Sequence, residues 1–440
     1  MSLLNWVEKA IEYTIRAGAD EAHAWLGRST SMRVEMEMDT ISKCSWNRRV
    51  RLGITAIVDK KMGSVTVQRL TENDIRKAAE TAYRLARVAN RNDKWLGLPP
   101  PKPYVQPVDI YDTKIVELEP DQLVEYAKYV MDSVKEYDKR VAIMQGMIST
   151  SWGESYVGNS NGILGEDKGT GISAYIVTVA REASRIGSFA IEDMSSRKLD
   201  VDFTQMAREG ARRAVESLDT RPVRSFRGPI VFDYNVSSHI FRALASAYNG
   251  DNVWRKSSPL GDKLSESIAV EDLTIVDDGL LPGGIGTSKF DGEGSPRRTT
   301  TIIEKGILKN FINNTFTARI LNMEPTGNAS SLLGVAPSNI VVKPGDMSVD
   351  EILEGIKTGL FVSRFSGSIR FQDGIVSGTV KQAHLIERGE KVYSVGECMI
   401  SGNLYTWLKN ITGMSRDVKR KGETIIPIIK IENINIISRT

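Results

Sequence analysis

Residues 273–345 read LTIVDDGLLPGGIGTSKFDGEGSPRRTTTIIEKGILKNFINNTFTARILNMEPTGNASSLLGVAPSNIVVKPG. At the centre, Phe290-Asp291-Gly292-Glu293-Gly294 sets two carboxylates among glycines, where a tight turn brings them together. Thr300 to Leu308 has the pattern of a hairpin, and Thr326-Gly327-Asn328-Ala329 is a glycine turn. A turn-rich, polar segment between strands is where sites tend to sit. Two chemistries fit Asp291 and Glu293: contact with a peptide or a metal, or capping of nearby backbone N–H groups. Gly292, Gly294, Gly327 and Asn328 join them as candidate contacts for a peptide or partner protein.

The same texture extends outward. Gly228 to Asp233 reads as a strand, and Asn235 to Tyr248 as a helix with Val236, Ile240, Ala243, Leu244 and Ala247 inward. From Ser267 onward glycines, prolines and short alternating strands dominate. Ser348-Val349-Asp350-Glu351 is a capping box, and Thr424 to Ile436 reads as closing strands. Residues 222–440 therefore predict a β-rich C-terminal domain, a distorted barrel or sandwich with a few helices.

Upstream, two helix–strand–helix units repeat. The first, residues 1–100, opens with an amphipathic helix (Leu3, Leu4, Val7, Ala10, Ile11, Ile15). Strands follow at Ala22–Gly27, Met32–Met38, Val50–Asp59 and Gly63–Gln68, then a helix beginning at Thr71. Five prolines between Pro99 and Pro107 make residues 101–116 a linker or wrapping arm. The second unit, residues 117–221, starts a helix at Pro120 and continues with strands at Val141–Trp152, Glu154–Asn159 and Thr170–Arg181. A helix over 202–218 closes it. The fold class is α+β, with an N-terminal region of two α/β layers, a mixed sheet with helices.

Composition bounds the function. With 58 basic and 55 acidic residues the net charge is +3, which gives no electrostatic case for nucleic-acid binding. Two cysteines, Cys44 and Cys398, argue against a disulfide framework and suit a reducing compartment. No apolar run reaches the roughly 18 residues of a membrane span. The expectation is a cytoplasmic protein without membrane association.

Three histidines, His23, His239 and His384, lie too far apart in sequence for a local zinc motif. His239 reads as a boundary residue of its helix, His384 as a half-exposed strand residue, Cys398 as a buried strand cysteine. No nucleophile elbow, P-loop or dinucleotide fingerprint is present. Gly283-Gly284-Ile285-Gly286 reads as a loop, and Lys419-Arg420-Lys421 as a solvated turn.

Along nearly its whole length the chain resembles the TldD/PmbA family, once called modulators of DNA gyrase. The carriers are Gly18-Ala19-Asp20-Glu21-Ala22, Asn159-Ser160-Asn161-Gly162, Leu273 to Asp278, Phe290 to Gly294, Pro325 to Ala329, Ser377-Gly378-Thr379 and Leu385 to Glu390. The resemblance implies a two-subunit metalloprotease acting on unfolded peptides. In that family the TldD type holds zinc through a His-Glu-x-x-x-His helix and a later cysteine, and the TldE (PmbA) type lacks them. Here the six motif positions fall on Phe241 to Ser246, with Phe241 and Ser246 at the histidine positions and Arg242 at that of the general-base glutamate. No cysteine follows Ser415-Arg416-Asp417. The implied protein has no catalytic or metal-binding residue and no cofactor of its own, with zinc in a TldD-type paralogous partner. Alone it would be inactive and could form a homodimer. Two alternatives stand beside this reading. One is a stand-alone metal-dependent peptidase with a site assembled from Asp291, Glu293, His239 and His384. The other is a regulator of a topoisomerase such as DNA gyrase.

Overall fold

A computed structural model describes residues 2–438. Its N-terminal sheet has seven antiparallel strands. From one edge they run Lys61–Val67, Thr40–Val58, Glu21–Glu37, Val141–Asn159, Leu164–Glu182 and Arg185–Ile186, with Ala190–Ser196 also paired to Leu164–Glu182. The two sequence units thus share one sheet, joined where His23 to Glu37 lies opposite Asn159 to Gln145. Two pairs of expected strands are each one element. Glu21–Glu37 runs through Arg28 to Ser31, and Val141–Asn159 runs through Gly153. Arg28 to Ser31 and Gly153 are paired to strands on both sides, so neither is a turn. Gly153 is required there because a Cβ would come 2.5 Å from the Arg28 carbonyl oxygen.

Helices cover one face of this sheet. Leu3–Arg16 and Glu72–Val88 pack over the first three strands, burying Val7, Ala10, Ile75, Ala78 and Ala82 against Leu26, Leu52 and Ile54. The side chains of Ser2 and Thr71 cap these helices. Pro120–Tyr137 and Phe203–Glu216 cover the other half, around Leu123, Val130, Ile143, Ile176 and Met206. The proline-rich segment is an arm between the two regions. Leu98 is buried, the Tyr104 hydroxyl donates to the Gly294 carbonyl at 2.9 Å, and Gly283 N–H donates to the Val108 carbonyl at 3.0 Å.

The C-terminal region is built on a closed five-stranded barrel. Its ring is Phe226–Phe232, Thr358–Ile369, Ile375–Glu387, Cys398–Asn403 and Thr424–Ser438. Thr424–Ser438 is a single strand whose Ile426, Ile428, Ile429, Ile431, Ile434 and Ile436 are all buried. It breaks strict alternation first at Ile428 and Ile429, which are buried in separate clusters, and again where its pairing shifts between Ile431 and Ile434 and Asn433 adopts φ 63°. Ile340–Val342, Ile275–Asp278, Thr299–Glu304 and Ile307–Leu308 extend the sheet outward, the last two forming the expected hairpin. Helix Tyr234–Ala247 crosses this body, with Phe241, Leu244 and Tyr248 fully buried in the core. Among the described residues no helix is long and apolar enough to cross a membrane.

Candidate functional site

The acidic turn and its neighbours form one buried polar cluster. Asp291 Oδ1 accepts the backbone N–H groups of Glu293 (3.1 Å) and Ser295 (3.0 Å), and Oδ2 accepts that of Ala329 (2.9 Å). Glu293 Oε1 accepts the Ser295 hydroxyl (2.9 Å), the Thr315 hydroxyl (2.5 Å) and Thr315 N–H (3.0 Å). Gly292 N–H donates to the Ala329 carbonyl, and the Gly327 carbonyl accepts from Arg297. Asn328 donates to Asp277 and to the Ala336 carbonyl. Burial pushes the pKa of both acids upward, and at Asp291 the neighbouring Glu293 carboxylate adds to the rise; Arg297 and these donors oppose it. The structure therefore brings Asp291, Gly292, Glu293, Gly294, Gly327 and Asn328 together, with the carboxylates tying loops to one another. Only the outer edge of the turn is accessible. Phe290, Asp291, Gly292 and Arg297 wall a cleft of about 770 Å³ against His23 and Trp25 of the N-terminal sheet.

A second cleft, of about 460 Å³, lies over helix Tyr234–Ala247. Asn235, Ser238, His239 and Arg242 face it, at the three- and four-residue spacing of one helix face. Its wall also includes Ser363, Arg364 and Ser366 of strand Thr358–Ile369, with Asp193 and Lys421. Of the three motif-matched positions, only Arg242 faces the cleft. Phe241 is in the hydrophobic core, and Ser246 is half-buried with its carbonyl accepting from Asn252. His239 stands at the cleft rim, where partial burial, then Arg242, lower its pKa.

The N-terminus of this helix is fixed by buried charge. Asp233 Oδ1 caps Asn235 and Val236 N–H groups at 2.9 and 3.2 Å, and Oδ2 lies 3.1 Å from Arg213 Nη2. Arg213 also lies 2.9 Å from Glu192 and 2.9 Å from Glu209. Lys421 adds Asp193 at 3.2 Å and Glu192 at 3.8 Å. Burial opposes charge on Arg213, but Asp233, Glu192 and Glu209 together outweigh it and hold its pKa above the ordinary arginine value. Burial also pushes Asp233 and Glu192 upward. With a guanidinium about 3 Å from each, we read both as ionised. The network spans both halves of the molecule. Arg213 and Glu192 come from the N-terminal region, Asp233 and Lys421 from the C-terminal one. Its signal in sequence was only an aspartate between strand and helix.

The residues invoked for an assembled metal site do not converge. His384 sits 3.7 Å from Glu216 and 3.3 Å from Ser394, in a different recess from His239. Asp291 and Glu293 are in the acidic turn. Cys398 is buried in its barrel strand, and burial pushes its thiol up to about 11. Among the described residues no three His, Cys, Asp or Glu side chains group as a metal site. The donor set of the helix cleft is one imidazole, one carboxylate (Asp193, already paired with Lys421), two guanidiniums, hydroxyls and amides, and it does not fit zinc.

Models of the PmbA/TldA metallopeptidase family match in three consecutive parts: domain 1 over residues 26–86, the central domain over 114–218 and the C-terminal domain over 225–438. Among curated relatives, a metalloprotease PmbA homolog of Buchnera aphidicola is 26% identical, over 99% of this chain and 97% of its own. A metalloprotease TldD homolog from the same organism is 23% identical, over 91% of this chain and 89% of its own. The crystal structure of TldE from Thermococcus kodakarensis superposes with a TM-score of 0.90 at 26% identity, over 98% of this chain and 100% of that one. The chain belongs to the PmbA/TldD family of metallopeptidases.

Proposed function

We infer that this chain is a non-catalytic, TldE/PmbA-type subunit of a two-subunit metallopeptidase. It completes the chamber around a TldD-type partner that carries the zinc, and it helps hold extended or unfolded peptides. The observation that carries the reading is the face of helix Tyr234–Ala247 turned to the cleft, which presents Asn235, Ser238, His239 and Arg242. A guanidinium, which keeps its proton near neutral pH, cannot serve as a general base. One organism's having both a PmbA and a TldD homolog among the relatives supports pairing of the two types. Asp291, Gly292, Gly294 and Gly327 contribute by shaping the wall that meets peptide or partner, not by chemistry.

The test is cleavage of an unfolded peptide by the purified chain alone, by a TldD-type partner alone and by their mixture, with bound zinc quantified in each. Cleavage and zinc that depend on the partner are expected. Cleavage by this chain alone, with one zinc per subunit and loss on chelation, overturns the reading.

A further inference from the structure

Three cations, Arg242, Arg364 and Lys421, and one acid, Asp193, line the cleft over helix Tyr234–Ala247. Lys421 is taken up by Asp193 and Glu192. Among the described residues Arg242 has a single hydrogen bond, 3.1 Å to the Lys421 backbone carbonyl. Its guanidinium is seated there by design of the backbone. Gly422 turns the hairpin at φ 60°, and a Cβ on it would lie 2.6 Å from Arg242 Nη2. The fork is thus held in place with N–H groups left over and, among the described residues, no ion pair with a carboxylate.

Arg364 reaches the same space from a β-bulge. Val362 pairs with Ala383 and Arg364 with Gln382, leaving Ser363 as the extra residue that re-aims the strand. One Arg364 N–H donates to the Phe189 carbonyl at 2.5 Å. Burial lowers its pKa, and Glu397 offsets only part of that cost. A partly desolvated guanidinium gains from an anion.

We propose that this cleft binds a carboxylate of the peptide, held by Arg242 and Arg364. A planar guanidinium matches a carboxylate in two parallel hydrogen bonds, and a cleft of about 460 Å³ accommodates a residue or two of chain. The proposal rests on the reading that the chain handles unfolded peptides. It adds an anchor for one chemical group, supplied by a peptide C-terminus or by an Asp or Glu side chain.

The test uses three labelled, unstructured decapeptides: a neutral sequence as the free acid, the same sequence amidated, and the amidated sequence with one internal glutamate. Binding to the full chain is measured by fluorescence anisotropy, for wild type and for Arg242→Gln and Arg364→Gln. Arg242 is exposed, so its variant should keep the fold, checked by circular dichroism. The free acid is expected to bind about tenfold more tightly than the plain amide, and Arg242→Gln should remove that preference. Recovery of tight binding by the glutamate peptide assigns the anchor to side chains as well as to the terminus. Equal binding of all three peptides, no binding of any, or an unchanged preference in Arg242→Gln overturns the proposal. Cleavage by the mixture with a TldD-type partner is scored in parallel. Intact cleavage without a carboxylate preference sinks the anchor alone, and a preference without cleavage sinks the subunit reading alone.

Discussion

His23 makes the stability of this protein depend on pH in a way that can be isolated. It sits in strand Glu21–Glu37 at 3% exposure, and its Nε2 has no hydrogen-bond partner among the described residues. Burial pushes its pKa down from 6.5 to about 4, only partly offset by the Gly292 backbone. The unfolded chain, with an ordinary histidine, then binds a proton that the folded chain refuses between pH 6.5 and 4. Stability is fully present above pH 6.5 and is lost as pH falls through that window. With those two values the loss between pH 7 and pH 5 is about 2 kcal/mol. Asp291 and Glu293 act in the opposite sense. Their raised pKa values favour the folded state at low pH and lose that contribution as pH rises. The raw pH profile therefore mixes both signs, but His23→Gln keeps the acids and deletes only the imidazole. Urea denaturation of wild type and His23→Gln at pH 7 and pH 5 separates them. Wild type should lose about 2 kcal/mol more than the variant between the two conditions, whatever the variant's stability at pH 7. The same change for both proteins, within about 0.5 kcal/mol, would refute the assignment of a buried, neutral His23.

Two further outcomes follow from packing and charge. Arg213→Leu leaves Asp233 and Glu192 buried beside a residue without charge, and should destabilise by about 3–5 kcal/mol in urea titration. Adding Glu192→Gln should return part of that loss, and no return would show that the pair is not coupled through Arg213. Gly63→Ala places a Cβ 2.2 Å from Ala86 N and 2.3 Å from the Ala82 carbonyl oxygen of helix Glu72–Val88. A loss of at least about 2 kcal/mol is expected from displacing that helix, and a neutral effect on thermal unfolding would mean the contact is looser than it stands.

Local chemistry was legible in the sequence. Helix Pro120–Tyr137, the capping box at Ser348 and Glu351, the hairpin after Thr299 and the turn Asn159–Gly162 follow from proline geometry, side-chain capping and glycine turns, which act over a few residues. The β-rich C-terminal body was legible for the same reason. That Phe241, Arg242 and Ser246 carry neither an imidazole nor a carboxylate is read from residue identity alone. Tertiary structure alone decided the rest. A single strand such as Glu21–Glu37 looks broken in sequence because Arg28 to Ser31 are four polar residues in a row, and only pairing on both sides shows its continuity. Which helix positions face the cleft depended on how helix Tyr234–Ala247 rolls onto the barrel, and that roll turned Phe241 inward and His239 outward. The junction of Arg213, Glu192, Asp233 and Lys421 gathers residues from distant parts of the chain, so no local pattern announces it. Short-range rules fix caps, turns and helices because their partners are neighbours along the chain. Clefts and buried charges are set by contacts between residues far apart in sequence, which exist only once the chain has folded.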